Sequence, residues 1–184
     1  MRDELNERAY TFVILTLDRH AAGPVARVAP MLAMDFPGLS IKVHAAAEWE
    51  KDPETLQAAL DDIAIADIIV SSVIFLEDQV RAILPALKDR RPHCDAMVNV
   101  VSDQELTQLT QMGDLDMSRP ASGAMGLLKK LKPAKSSGKS GAGQMKMLRR
   151  LPQLLRFVPG TAQDVRAYFL TLQYWLGGSD ENVL

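Results

Sequence analysis

The sequence predicts an α/β domain: a flavodoxin-like or Rossmann-like parallel sheet of about four strands with helices on both faces. Strand-like and helix-like segments alternate through residues 1–113. The strand-like runs are short and apolar, as expected for strands that are covered on both faces. Helices between such strands imply right-handed crossovers. With 47% hydrophobic residues in 184, the chain can also bury a substantial core.

Four segments are predicted to be strands. Residues 11–17 and 67–75 are apolar and rich in β-branched side chains, 39–44 has one wetter face, and 96–101 is the fourth strand. We expect a functional loop to begin within the second half of 67–75.

Capping residues mark where the helices between these strands begin. Pro24 suits the first turn of one helix, and Asp52 followed by Pro53 reads as an N-cap and N1 pair for the next. Two further helices are predicted over 77–88 and 104–112.

Composition changes after the α/β domain. Residues 114–143 are small, basic and rich in glycine, serine and proline, which predicts a flexible linker. Residues 144–184 are predicted to be helical, and the chain ends at Leu184, shortly after Ser179 opens a new helix. We therefore expect an N-terminal piece of a larger protein, with 144–184 continuing into the rest.

The formal net charge is −2, but basic and acidic residues are distributed unevenly along the sequence. Residues 117–163 hold ten Lys or Arg and no Asp or Glu, so the other eleven basic and 23 acidic residues leave −12 elsewhere. Such a split predicts a basic segment that faces an acidic surface, on this domain or on a partner. A nucleic-acid partner is not expected, because the basic segment has no interleaved aromatic residues for base stacking.

Several protein classes are excluded by composition. No apolar run approaches the length of a transmembrane helix, and the N-terminus lacks the apolar stretch of a signal peptide. The single cysteine, Cys94, forms no internal disulfide and suits a reducing compartment. We expect a soluble, cytoplasmic protein.

Motifs for nucleotides and metals are missing or broken. Gly138-Lys139-Ser140 resembles the end of a P-loop, but Pro133 stands where that loop needs glycine. No glycine-rich dinucleotide turn follows the first strand. The histidines lack metal-ligand spacing, so we expect no cofactor or metal on this chain; they are His20, His44 and His93.

Three segments resemble one known family. Residues 69–78 are similar to the N-terminal domain of the large chelatase subunits that bind tetrapyrroles. Residues 147–160 and 172–182 are similar to the magnesium chelatase branch, in the photosynthetic-bacterial form of its porphyrin-binding subunit. The resemblance runs in order from Tyr10 to Leu184, and cobalt chelatase large subunits are the alternative within the family.

The resemblance implies the chemistry of a complex. The whole subunit would hold protoporphyrin IX while Mg²⁺ is inserted, and an AAA+ motor subunit with its companion subunit would hydrolyse ATP, in bacteriochlorophyll or chlorophyll synthesis. Mg²⁺ sheds water reluctantly and prefers oxygen ligands, which explains the need for a motor. No catalytic residue is carried over, and we expect this chain alone to be inactive.

If this domain touches the tetrapyrrole, the contact should lie at the carboxyl ends of the strands, where open parallel sheets bind ligands. Phe75 would supply an apolar wall, and Arg19 with a serine hydroxyl the polar contacts. The predicted residues are Arg19, His20, Ser71, Ser72, Phe75 and Glu77.

Other functions stay open. These loops could instead pack against the rest of a larger protein, since apolar loop residues often lie at domain interfaces. A non-catalytic interaction domain, docked through the basic segment, fits the same features. A receiver-like regulatory domain fits the fold but not the residues, because the third strand leads into Ser71-Ser72 rather than a phosphorylatable aspartate.

Overall fold

A computed structural model of the chain describes residues 9–19, 22–119 and 161–177. The strands in these ranges are β1 (Tyr10–Thr16), β2 (Leu39–Ala45), β3 (Ile68–Ser72), β4 (Ala96–Val100), β5 (Gln111–Met112) and β6 (Leu115–Asp116). The α-helices are α1 (Ala22–Asp35), α2 (Pro53–Ile65), α3 (Glu77–Arg90), α4 (Gln104–Gln108) and α5 (Thr161–Gly177). Short 3₁₀ turns follow β2 and α3.

All six strands form one mixed sheet in the order β2-β1-β3-β4-β5-β6. The first four in that order are parallel, and Ile14 on β1 lies between Val43 on β2 and Val70 on β3. The α/β, Rossmann-like prediction is confirmed. The strand order reverses direction between β1 and β3, the point at which such sheets bind ligands beyond their carboxyl ends.

The end of the α/β segment differs from the prediction. The helix expected over 104–112 stops at Gln108, and Gln111–Met112 pair with β4 as an antiparallel strand. Thr110 favours this extended path, because its buried hydroxyl accepts a hydrogen bond from the Asn99 N–H at 3.1 Å. The sheet therefore continues past the boundary predicted at residue 113.

The β5–β6 turn depends on Gly113. Its φ of +56° lies in the left-handed region, and a Cβ there would lie 2.7 Å from an Asp164 carboxylate oxygen on α5. That carboxylate accepts a hydrogen bond from Asp114 N–H at 2.8 Å. The turn thus joins α5 to the sheet. The predicted linker, 114–143, lies outside the described residues from 120 onward, and its limits stay a prediction.

The two faces of the sheet are covered by different helices. Helices α2, α3 and α4 cover one face, where strand residues such as Leu15, Ile69 and Met97 are fully buried. On the opposite face, Val165 and Tyr168 of α5 pack in one cluster with strand residues Val70, Val98, Val100 and Leu115. Alternation along each strand produces this division.

The amino edge of the sheet, where the parallel strands begin, is held by Asp67. Its Oδ2 accepts a hydrogen bond from Thr11 N–H at 2.8 Å, and its carbonyl accepts from Asp95 N–H at 2.8 Å. Arg90 donates from Nε to the Ala66 carbonyl at 2.8 Å. Buried polar groups here have defined partners, as is usual in native proteins. Among the described helices, none is long and apolar enough to cross a membrane.

Candidate functional site

The candidate site is the carboxyl edge of the sheet, formed by the loops that follow β1, β2, β3 and β4. These loops and the first turns after them span 17–19, 46–54, 73–81 and 101–105. They contain nine Asp or Glu and three Lys or Arg, so this edge is acidic. First-turn carboxylates are favourable at the positive ends of helices, which explains why several of them are there.

The loops that follow β3 and β4 each contain a strained residue, and backbone hydrogen bonds join the two loops. Val73 and Val101 have φ of +62° and +49°, a region that β-branched residues rarely adopt. Such a conformation costs about 1–2 kcal/mol per residue. Val73 N–H donates to the Val101 carbonyl at 2.9 Å, and Asp103 N–H donates to the Ile74 carbonyl at 2.8 Å. Ile74, fully buried, anchors the first loop.

A buried polar pair lies just below these loops. Ser71 Oγ donates to Asn99 Oδ1 at 2.5 Å, and both residues are fully buried. Tyr168 on α5 donates from its hydroxyl to the Asn99 carbonyl at 3.3 Å, and burial raises the pKa of that phenol. Strands β3 and β4 and helix α5 are therefore tied together at this level.

Four buried side-chain atoms in the described part of the chain have no hydrogen-bond partner: Trp49 Nε1, Ser72 Oγ, Gln79 Oε1 and Asn99 Nδ2. Each belongs to a residue in the carboxyl half of a parallel strand or in the segment after it. An unpartnered buried polar group costs about 1–3 kcal/mol. The carboxyl edge thus carries both backbone strain and unmet hydrogen-bonding capacity, which is typical of functional sites.

The surface of this edge combines apolar and acidic side chains. Phe75, Leu76 and Val101 are 52%, 61% and 41% exposed, and we call these three the apolar patch. The carboxylates that follow them in the two bonded loops form the acidic rim, which comprises Glu77, Asp78, Asp103 and Glu105. Asp103 caps α4 by accepting from Glu105 N–H at 2.7 Å. An apolar patch with a charged rim suits a macromolecular partner.

The charged residues predicted for a ligand already have partners. Arg19 is exposed and forms a two-pronged ion pair with Glu48, with Nη2 2.9 Å from Oε2. The hydrogen bond from Arg19 lowers the pKa of the Glu48 carboxyl. Glu77 pairs with Arg81 one turn along α3. His20 lies outside the described residues.

The two predicted serines do not reach the surface. Ser71 and Ser72 are both fully buried, and Ser71 is engaged by Asn99. Of the predicted set, Phe75 and Glu77 lie together on the loop after β3 and at the start of α3. The structure therefore does not assemble the five predicted residues that it describes into one exposed site.

Sequence reasoning missed Asn99 and the two strained valines. Asn99 could have been noticed, because it is a lone amide within an apolar strand. Nothing marks Val73 or Val101, since glycine and asparagine are the residues that signal a positive φ. No group of three His, Cys, Asp or Glu among the described residues could hold a metal ion. His44 instead contacts Asp62, with Nε2 2.8 Å from Oδ2.

Comparison with known proteins places this architecture in a family. Residues 11–169 match the family described as "Domain of unknown function (DUF3479)". The chain belongs to that family. The matched range includes the parallel strands and the first half of α5.

Curated relatives of this DUF3479 chain share a name. It is 55% identical over 175 residues to the magnesium-chelatase H subunit of Cereibacter sphaeroides and 50% identical over 175 residues to that of Rhodobacter capsulatus. Each alignment covers 95% of this chain but 15% of the relative. The chloroplastic magnesium-chelatase ChlH subunit of Oryza sativa subsp. indica is 33% identical over 72% of this chain and 10% of its own length. The predicted family resemblance is confirmed.

Proposed function

We propose that this chain is the N-terminal part of the porphyrin-binding H subunit of a magnesium chelatase, which inserts Mg²⁺ into protoporphyrin IX during bacteriochlorophyll or chlorophyll synthesis. The observation that carries the proposal is 55% identity over 95% of the chain to a protein of that name. An AAA+ motor subunit and its companion would hydrolyse ATP. Protoporphyrin and Mg²⁺ are substrates of the complex, and we propose a cytoplasmic location.

Within that subunit, we propose that the described residues bind a large surface and take no part in proton transfer. The carboxyl edge offers an apolar patch and carboxylates that are committed to helix starts and ion pairs. Deprotonating the two pyrrole nitrogens needs a base held against the ring. The patch and its committed carboxylates suit contact with a large surface better than proton transfer, so we place the metal-insertion chemistry elsewhere in the subunit.

A direct tetrapyrrole contact at this edge is a second candidate. Phe75 and Leu76 favour it, because more than half of each side chain is exposed beside the strand-order reversal. Arg19 could meet a propionate only by leaving Glu48, and the acidic rim would repel propionates. Titration of protoporphyrin against this chain and its Phe75→Ala variant tests the contact, with Met34→Ala as the exposed apolar control.

A chimeric protein tests the main proposal. This chain would replace the 175 aligned residues of the Cereibacter sphaeroides H subunit, and Mg-protoporphyrin formation would be followed by fluorescence with the motor subunits and ATP. We expect near-parental insertion of Mg²⁺, and loss of insertion when the segment is deleted. Activity with Co²⁺ but not Mg²⁺ would favour the cobalt chelatase alternative, and an inactive but folded chimera would contradict the proposal.

A further inference from the structure

Helix α1 exposes apolar side chains where a surface helix usually carries charged ones. Its inner side is buried through Val25 and Val28, yet Met31 and Met34 on its other sides are 53% and 83% exposed. Twelve of its fourteen residues are uncharged, whereas α3, of equal length, carries six charged residues. A helix that is apolar on all sides is typically buried on all sides. We therefore expect a second surface to cover the exposed side of α1.

The two charged residues of α1 are placed against its dipole. Asp35 is the last residue, at the negative end of the helix, and Arg27 lies in the amino-terminal half. The first turn holds no acidic residue and the last turn no basic one. Helices are stabilised by the reverse placement. An antiparallel helix of the same sequence would correct it, because its Asp35 would lie beside the amino-terminal half of α1 and its Arg27 beside the carboxyl end.

We propose that α1 packs antiparallel against α1 of a second copy of this chain, about a two-fold axis at Met31. Arg27, Met31 and Asp35 are spaced four residues apart and form one ridge along the helix. Arg27 and Asp35 are about 12 Å apart along the helix axis, with Met31 midway. Two-fold symmetry pairs each Arg27 with Asp35 of the other copy and places Met31 against itself.

This symmetry of charge about Met31 is what favours a second copy as the partner. A membrane surface fits less well, because helices that lie on membranes are rich in Lys and Arg on their polar face and α1 has one basic residue. A contact through one helix from each copy is small, so the dimer should be weak. Met31 and Met34 lie apart from the loops after β3 and β4, and the contact does not depend on the proposed chelatase function.

Sedimentation of the 184-residue chain tests the association. We expect a dimer of twice the 20.2 kDa mass of one chain at about 100 μM protein. Arg27→Asp and Asp35→Arg should each raise the dissociation constant at least about tenfold, because like charges would then face each other twice. Mixing these two variants should restore association, since opposite charges face each other again in the mixed dimer.

A matched control pair lies on α3, where Arg81 and Asp89 are also exposed and eight residues apart. Arg81→Asp and Asp89→Arg change the net charge by the same amounts, and we expect them to leave the dissociation constant unchanged, alone or mixed. A chain that stays monomeric at all concentrations would overturn the proposal. Recovery on mixing that is equal for the α1 and α3 pairs would also overturn it, because it would reflect net charge alone.

Disulfide formation locates the two-fold axis. A cysteine on such an axis faces its own copy, so Met31→Cys should form a covalent dimer under mild oxidation, whereas Ile65→Cys, at a 60% exposed position on α2, should not. The parent chain, whose single Cys94 is buried, gives the background.

The same change in the chimeric H subunit distinguishes a second copy from the rest of the subunit as the partner of α1. We expect Met31→Cys to yield a covalent dimer there as well, above the level of the unchanged chimera. Absence of that dimer, whether the cysteine reacts with a thiol reagent or is protected from it, would overturn the proposal. The readout is the dimer, so it is independent of whether the chimera inserts Mg²⁺.

Discussion

The two edges of the sheet are built on opposite principles. At the amino edge, Asp67 and Arg90 bind the backbone of neighbouring segments through hydrogen bonds of 2.8 Å. At the carboxyl edge, two valines adopt positive φ and two fully buried residues, Ser72 and Asn99, each leave a polar atom without a partner. The amino edge stabilises the fold through hydrogen bonds, whereas the carboxyl edge retains backbone strain and buried polar atoms without partners.

That contrast indicates where the module works. Strain and unmet hydrogen bonds persist only where the surrounding structure enforces them, and they concentrate at ligand clamps and switch regions. The carboxyl edge also exposes Phe75 and Leu76. We therefore assign stability to the amino edge and the proposed binding role to the carboxyl edge. Substitutions at each edge test this division.

A large loss of stability should come from the amino edge, with Asp67→Ala. This change removes the acceptor of the partly buried Thr11 N–H, together with the carboxylate of buried Asp67, and should lower the free energy of unfolding by about 3 kcal/mol. Asp67→Asn keeps an oxygen acceptor and should cost about 1 kcal/mol. Urea unfolding measures both, and equal losses would show that the charge of Asp67, rather than its role as acceptor, matters.

The β5–β6 turn should give the next largest effect, through Gly113→Ala. Alanine at a φ of +56° is strained, and its Cβ would meet the Asp164 carboxylate, so we expect a loss of about 2 kcal/mol. Asp164→Ala removes that clash but also the hydrogen bond to Asp114 N–H. The double variant should therefore lose less than the sum of the single losses. If the losses of the two single variants simply add in the double variant, as measured by urea unfolding, the contact between residues 113 and 164 is contradicted.

Tyr168 should make the attachment of α5 sensitive to alkali. Burial raises its folded-state pKa, so its contribution to stability is complete below about pH 10 and is lost as the pH rises through the folded-state value. Tyr168→Phe loses the hydrogen bond to the Asn99 carbonyl, about 1 kcal/mol at pH 7. It should also flatten the stability curve above about pH 10. An unchanged alkaline slope would contradict the assignment to Tyr168.

The smallest expected change lies at the carboxyl edge, with Val101→Gly. Relief of the positive φ should offset the lost side-chain contacts, so the free energy of unfolding should rise by about 0.5 kcal/mol. Val100→Gly is the matched control one residue earlier, in regular strand geometry and fully buried, and should cost about 3 kcal/mol. A similar fall in the free energy of unfolding for both variants would show that the positive φ of Val101 stores no strain that glycine relieves.

Much of the fold was predictable because its signals are periodic. Apolar β-branched runs indicated the four parallel strands, and Asp52 before Pro53 marked α2, where its carboxylate does accept from Glu54 N–H. The two-residue strands β5 and β6 are too short to show the alternation of apolar and polar residues that is typical of a strand. The sequence pattern therefore predicts that residues 109–112 continue the preceding helix, which is wrong.

The ends of the strands were predictable from the sequence, but the arrangement of the side chains at those ends was not. Ser71 and Ser72 lie at the end of β3 and Phe75 lies just after it, as the sequence predicts. The burial of Ser71 and Ser72 cannot be predicted in this way, because it depends on packing between segments that are distant in the sequence, such as the contact of Ser71 with Asn99. The ion pair between Arg19 and Glu48 joins residues 29 positions apart and has no local sequence signal.

The division between the edges is tested most directly in the chimeric H subunit. Phe75→Ser with Leu76→Ser alters the apolar patch, and Met31→Ser with Met34→Ser alters an apolar pair on α1 that is at least as exposed. We predict that the first pair lowers the rate of Mg-protoporphyrin formation at least about tenfold, the loss expected when roughly 1.4 kcal/mol of contact energy is removed, while the second leaves it unchanged. Equal rates for the two pairs, or a larger loss from the α1 pair, would contradict the division.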